Sequence, residues 1–154
     1  MEATIANEKK PGIIKLFQCK CPRCRRGDMF VVKNTYRLKT TTKMNDACSV
    51  CGQDFNIEVG FYYGTNYVSY AFAIALSAFT LMAWWLTIGF SLEDNRFFYW
   101  IAFNAFCLVA LQPPLMRIAR TIWLAFFVPY DKNWRTNPAE KPERKNKEQE
   151  QNWL

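Results

Sequence analysis

The 154-residue chain contains no histidine. That absence excludes an imidazole general base, a Ser-His or Cys-His nucleophilic pair, a His-ligated haem and any metal site that mixes cysteine with histidine. Acidic residues are few: 13 Asp and Glu stand against 20 Lys and Arg, a formal net charge of +7. There is no phosphate-cradling glycine loop, nucleotide fingerprint or internal repeat. Asp54, Glu58, Glu93 and Asp94 lack an evident partner acid or base, and solvation or capping explains them better than catalysis. Cysteine chemistry, or none, is what remains.

Charge also vanishes over two long stretches. Val59 to Leu92 gives 34 consecutive residues without Asp, Glu, Lys or Arg, and Phe97 to Met116 gives another 20. About 20 apolar residues in a helix cross a hydrocarbon core of roughly 30 Å, so each run suffices for one transmembrane span. The first, within segment 59–92, is best placed at Asn66 to Phe90. Phe61, Tyr62, Tyr63, Tyr67 and Tyr70 lie near its entry and Trp84 and Trp85 towards its exit. The second, 97–116, opens with Phe97, Phe98, Tyr99 and Trp100, and such aromatic clusters collect at headgroup depth. Residues 93–96 form a tight external connector. A soluble all-helical core fits poorly, because the first run is apolar all round rather than along one stripe.

Lys and Arg number 11 before the first span, 1 in the connector and 8 after Met116. By the positive-inside rule both termini face the cytoplasm. The N-terminal arm, 1–18, has no apolar core of a signal peptide, so no cleavage is expected. Beyond Pro113-Pro114, residues 117–130 place Arg117, Arg120 and Thr121 on one helical face and Ile118, Ile122, Trp123, Phe126 and Phe127 largely on the other. This reads as a C-terminal interfacial helix on anionic lipid, or equally as an extension of the second span packed on a partner. Residues 131–154, charged and containing Pro138 and Pro142, read as a disordered tail.

Six cysteines occur, four of them as the pairs Cys21-Pro22-Arg23-Cys24 and Cys48-Ser49-Val50-Cys51. Both pairs fall in the segment assigned to the reducing cytoplasm, which argues against disulfides. Two C-x-x-C knuckles at this separation are the ligand pattern of a zinc ribbon, here within 19–58, each knuckle giving two thiolates to one tetrahedral Zn²⁺. Cys19 is a possible substitute for Cys21, although the C-P-x-C spacing favours Cys21 and Cys24. Four thiolates leave −2 at the metal, and Lys20, Arg23, Arg25 and Arg26 stand close in sequence to offset it. Gly52 suits the positive φ that a knuckle needs, while Arg25 at the equivalent place would be mildly strained. Met29 to Lys33 and Tyr36 to Thr42, β-branched and aromatic around Asn34, predict a small hairpin. A domain of about 40 residues needs the metal's binding free energy to fold. Cys107, inside the second span, reads as a small apolar residue in a helix bundle.

Cys21-Pro22-Arg23-Cys24, Gly27, Met29-Phe30, then Cys48-x-x-Cys51-Gly52-x-Asp54-Phe55 and a two-span hairpin resemble the bacterial membrane family known as domain of unknown function 983, over about residues 19 to 128. Gly60-Phe61-Tyr62-Tyr63-Gly64 with Tyr67-Val68-Ser69-Tyr70 is similar to a Bacteroidetes branch of it. Arg25 departs from the family's usual glycine. The resemblance implies an inner-membrane location and, from gene neighbours in some bacteria, a role beside haem-copper oxidase or its assembly factors.

The leading expectation is therefore a membrane α-helical hairpin with a small N-terminal β zinc ribbon. It acts without enzymatic activity or small-molecule substrate, as an accessory, assembly or scaffold subunit or a homo-oligomer. Gly60 and Gly64 form a small-x-x-x-small pair, and Ala71, Ala75 and Ala78 leave room for close helix approach, either between the two spans or to a partner. Asn66, Asn104 and Gln112 need polar partners. Two alternatives are thiol redox or copper handling by Cys19, Cys21, Cys24, Met29 and Met44, and nucleic-acid binding by the basic N-terminal region.

Overall fold

A computed structural model of the protein describes residues 12–58, 60–89 and 94–139. The expected arm before residue 12, the tail beyond 139, and residues 90–93, which lead into the connector, lie outside the described residues. Two helices dominate. Helix α2, Thr65–Ile88, follows a short helix α1, Ile14–Phe17, and a 3₁₀ turn, Phe61–Gly64; helix α3 is Arg96–Phe127. Both long helices are long and apolar enough to cross a membrane.

Helix α2 contains no glycine or proline and stops where Gly89 takes φ +82°, its N–H closing on Trp85 O at 3.1 Å. Helix α3 does not stop at Pro113-Pro114, although both prolines lie inside it. They remove two N–H donors, leaving the carbonyls of Val109 and Ala110 without their usual helical partners. Two lost bonds in a 32-residue helix are tolerable when both flanks are held. The two helices run antiparallel. Near the middle Asn104 Oδ1 accepts from Thr80 Oγ1 at 3.0 Å, and its Nδ2 donates to Ser77 Oγ at 3.2 Å. At the opposite end from the connector, Trp123 Nε1 donates to Phe61 O at 2.8 Å, and a Cβ on Gly64 would collide with the Trp123 ring. The close approach at Gly64 thus serves packing within the chain. Asn66, Gln112 and the Ala71, Ala75, Ala78 stripe remain exposed.

The cysteine-containing unit packs on the last three turns of α3. Cys21, Cys24, Met29, Phe30, Cys48 and Phe55 form one buried cluster with Leu124 and Val128, flanked by Ile57, Phe61, Tyr62 and Trp134. Its core is thus completed by the helical hairpin.

Three expectations change. Of the two readings of residues 117–130, the separate interfacial helix does not form: 117–127 extend the second long helix, and Arg117, Thr121 and Leu124, spaced three and four apart, face the chain's own cysteine unit. Residues 131–139 are not a loose tail, because Arg23 Nη2 bonds Asp131 Oδ2 at 3.2 Å and the carbonyls of Asn137 and Pro138 at 2.9 Å each. No regular strand forms among the described residues; three isolated antiparallel bridges, Lys20 with Asp28, Phe30 with Met44 and Ala47 with Asp54, stand in place of the β ribbon. The hairpin pairs 29–31 with 43–45, through Val31 N–H to Lys43 O and Asn45 N–H to Met29 O. Beyond that it opens into a loop instead of turning at Asn34. The two carbonyls that would extend the ladder, those of Lys33 and Thr41, accept from Arg117 instead, as do those of Val32 and Asn34, and Thr42 O accepts from Arg120.

Candidate metal centre

Each knuckle is built by the same local bonds. Arg25 N–H donates to Cys21 O at 2.7 Å and Gly52 N–H to Cys48 O at 2.9 Å; each turn then closes through Cys21 N–H to Gly27 O and Cys48 N–H to Gln53 O. Arg25 (φ +56°) and Gly52 (φ +69°) both adopt the left-handed conformation, so the arginine accepts the strain expected of it. A close approach is also required at Gly27, where a Cβ would strike Cys48 Sγ.

The turns bring Cys21, Cys24, Cys48 and Cys51 together, every sulfur within 4.8 Å of the others. Cys21 Sγ lies 3.7 Å from Cys51 Sγ, and Cys24 Sγ 3.7 Å from Cys48 Sγ. These are not disulfide lengths. A tetrahedral ion about 2.3 Å from each sulfur would set them roughly 3.8 Å apart, so the quartet fits such an ion. Backbone N–H groups reinforce it: Cys24 donates to Cys21, Gly27 to Cys24, Cys51 to Cys48 and Gln53 to Cys51. Amide donors of this kind favour thiolates. Packed so closely, the thiols cannot ionise independently. The contact with Cys21 pushes Cys24 below the ordinary thiol range, and the contact with Cys24 pushes Cys21 above it. Cys21 and Cys24 are fully buried, Cys48 nearly so, and Cys51 half-buried. Four protein ligands around one ion would leave no open position for substrate.

Cys19 is not a member of the quartet. It takes φ +56° at the entry to the first knuckle and lies against Thr121; burial pushes its thiol upward, outweighing Thr121 and Arg117. Of the basic neighbours, Lys20 pairs with Asp28 at 2.6 Å, Arg23 with Asp131, and Arg25 lies over the Tyr130 ring at 4.7 Å. Cys107 lies in α3, remote in sequence from the quartet and outside it.

Sequence reasoning singled out Arg117, Arg120 and Thr121 as one face of α3 but not their role in holding this unit. Arg117 is only 3% exposed, donates to four backbone carbonyls and lies over Phe30 at 4.9 Å. Arg120 bonds Thr42 O at 2.8 Å, contacts Met44 Sδ and covers Tyr62. Thr121 Oγ1 lies 3.4 Å from Met29 Sδ. The available signal was the spacing of Arg117, Arg120 and Thr121 directly after an apolar span, with no acid nearby to partner them.

The fold and the quartet define a chain with two helices of membrane-spanning character joined to a four-cysteine centre that could hold a metal ion. It belongs to the family described as Protein of unknown function (DUF983), whose model matches residues 38–127. The match takes in the second knuckle, both long helices, Arg117 and Arg120, and begins after the first knuckle. No curated protein and no solved structure matches the chain.

Proposed function

We propose that the protein is a non-enzymatic, multi-pass subunit of the bacterial inner membrane with both termini in the cytoplasm. In this reading one structural Zn²⁺ per chain, held by Cys21, Cys24, Cys48 and Cys51, locks the cysteine unit onto the cytoplasmic end of the hairpin. The resulting body serves as an accessory, assembly or scaffold piece of a larger membrane complex. The observation that carries the reading is the shared core: knuckle residues and α3 residues Leu124 and Val128 bury one another around a closed quartet. Zinc suits an all-thiolate tetrahedron. Copper handling is less well supported, since the sulfurs of Met29 and Met44 contact Thr121 and Arg120 instead of standing free beside the quartet. The distribution of Lys and Arg, 11 before the first span, 1 in the connector and 8 after the second, supports the orientation. The link to respiratory oxidase rests on the family resemblance alone.

Metal analysis of the intact protein in mild detergent tests this reading. One zinc per chain is expected, lost in Cys48→Ser and retained in Cys19→Ser. Copper in its place, or reversible dithiol oxidation without zinc, refutes the zinc assignment. Copurification tests the accessory role, and absence of any stoichiometric membrane partner refutes it.

A further inference from the structure

The loop held by Arg117 projects a surface that neither the metal centre nor the helix pair uses. From Met29 to Asn45 the chain carries no acid, and Lys33, Arg37, Lys39 and Lys43 are all exposed. Among the described residues none of the four pairs with a carboxylate. Between them Tyr36 is 61% and Leu38 76% exposed, large apolar groups at the tip of a basic loop. The tip is closed internally: Thr41 Oγ1 donates to the carbonyls of Thr35 and Arg37, and Asn34 Oδ1 accepts from Tyr36 N–H. It is therefore a shaped element, and its exposed side chains contribute nothing to its own fold.

Its depth relative to a bilayer follows from its anchors. Contacts with α3 move steadily towards the helix N-terminus as the loop is entered: Met29 meets Thr121, Thr42 meets Arg120, and Val32 to Asn34 with Thr41 meet Arg117. Residues 35–40 lie in the chain between 32–34 and 41, the two segments that Arg117 holds. With the outer hydrocarbon boundary at Arg96, a core of roughly 30 Å at 1.5 Å per residue ends about 20 residues along α3, near Met116. Arg117 then sits at the inner boundary, and the loop tip reaches headgroup depth beside it.

We propose that residues 33–43 are a docking surface for the anionic lipid headgroups of the leaflet that surrounds the hairpin. Lys33, Arg37, Lys39 and Lys43 meet the phosphates, and Tyr36 and Leu38 enter the acyl boundary. The basic face assigned from sequence to α3 is thereby transferred: Arg117 and Arg120 spend their donors on the loop's backbone, and the loop carries the lipid contacts. This rests on the membrane reading given above. Each basic residue at an anionic surface strengthens attachment by a factor of about five, and Tyr and Leu at the boundary add to it.

Hydrogen exchange of the full-length protein in nanodiscs tests the assignment. Discs of phosphatidylcholine alone are compared with discs containing phosphatidylglycerol. Anionic discs should slow exchange across 33–43 by about tenfold or more at low salt. The protection should fade at high salt and in the Lys33→Gln, Arg37→Gln, Lys39→Gln, Lys43→Gln variant, with α2 and α3 equally protected throughout. Equal loop exchange in the two discs, with α2 and α3 protected in both, overturns the docking surface and leaves the membrane reading standing. Equal loop protection in both discs and in detergent overturns it as well, because the loop would then be packed on protein. A chain that does not enter discs at all overturns the membrane reading and this inference with it. The wild-type comparison between lipids decides the matter even if the fourfold variant misfolds.

Discussion

Replacing Arg117 by leucine keeps an apolar stem on α3 and removes the four bonds that this side chain donates to the loop. The guanidinium bonds Thr41 O at 2.7 Å, Val32 O at 2.8 Å, Lys33 O at 3.2 Å and Asn34 O at 3.1 Å. A hydrogen bond to a charged group contributes about 1.5–3 kcal/mol, but the four cannot simply be added, since a freed loop lifts and hydrates its carbonyls. The loss is therefore closer to that of two such bonds, about 3–5 kcal/mol. At 1.4 kcal/mol per tenfold, loop opening rises roughly a hundred- to several-thousand-fold. Native-state hydrogen exchange reads this at the amides of Val31 and Asn45, which bond Lys43 O and Met29 O at the base of the loop. Arg120→Leu is the internal comparison. It loses one carbonyl contact and one sulfur contact, from a side chain that is only half-buried, and should cost about 1 kcal/mol. Arg117→Lys should fall between wild type and leucine, because an ammonium cannot reproduce a planar fork reaching four acceptors. If Arg117→Leu leaves the Val31 and Asn45 amides within tenfold of wild type, or if Arg120→Leu proves the more damaging, Arg117 is not what fixes the loop.

Three other perturbations read different joints. Gly64→Ala places a methyl group against the Trp123 ring and should lower stability by about 1–3 kcal/mol with a change in tryptophan emission, whereas Gly12→Ala, with no heavy atom within 4 Å, should be neutral; equal melting temperatures for the two refute the close approach. Asn104→Leu breaks the contacts with Thr80 and Ser77 and should cost about 1 kcal/mol in detergent unfolding, so a loss exceeding that of Arg117→Leu contradicts the ranking. Asp131 is held below the ordinary carboxylate range: desolvation raises it, but the Asn133 N–H, the Asn137 amide and Arg23 outweigh that. Its contribution is present above the unfolded Asp pKa of about 3.9 and is lost as pH falls through the lower folded value. Docking of 131–139 should therefore be constant from pH 8 to pH 5, read by exchange at the Thr136 and Asn137 amides, and a loss centred near neutrality would assign the attachment to another group.

The two long apolar helices and the knuckles were legible because each leaves a signal that needs no tertiary knowledge. A run of 34 residues without charge has few soluble explanations, and doubled C-x-x-C pairs followed by Gly52 and Arg25 specify turns whose φ angles can be foreseen. The face presented by Arg117, Arg120 and Thr121 was also legible, but its partner was not. A basic stripe looks the same in sequence whether it meets lipid phosphates or a row of backbone carbonyls, since both are concentrated negative potential. The β ladder failed for the complementary reason. Side-chain alternation predicts which residues suit a strand, and it cannot reveal that the carbonyls of Lys33 and Thr41, next in the ladder, accept from a helix residue more than 70 positions away. Asp131 and Trp134 were hidden in a segment whose charge and prolines resemble those of a linker, although the first ties down Arg23 and the second packs on the shared core.

These joints make the cysteine unit and the hairpin one body instead of a module on a tether. A unit of about 40 residues buries too little to stand alone. Leu124, Val128, Phe61 and Tyr62 supply the missing part of its core. The dependence runs the other way too. Pro113 and Pro114 interrupt the hydrogen bonding of α3 just before Arg117, so the turns beyond them rest on tertiary contacts more than the turns before. Those contacts are with Met29, Thr41, Thr42 and Phe61, residues whose positions depend on the two knuckles. An ion held by the knuckles would therefore act at a distance along the helix: by fixing the cysteine turns it would fix the loop and the last turns of α3. The surface that this end of the hairpin offers to a partner or leaflet would then be shaped by the metal without the metal being part of the contact.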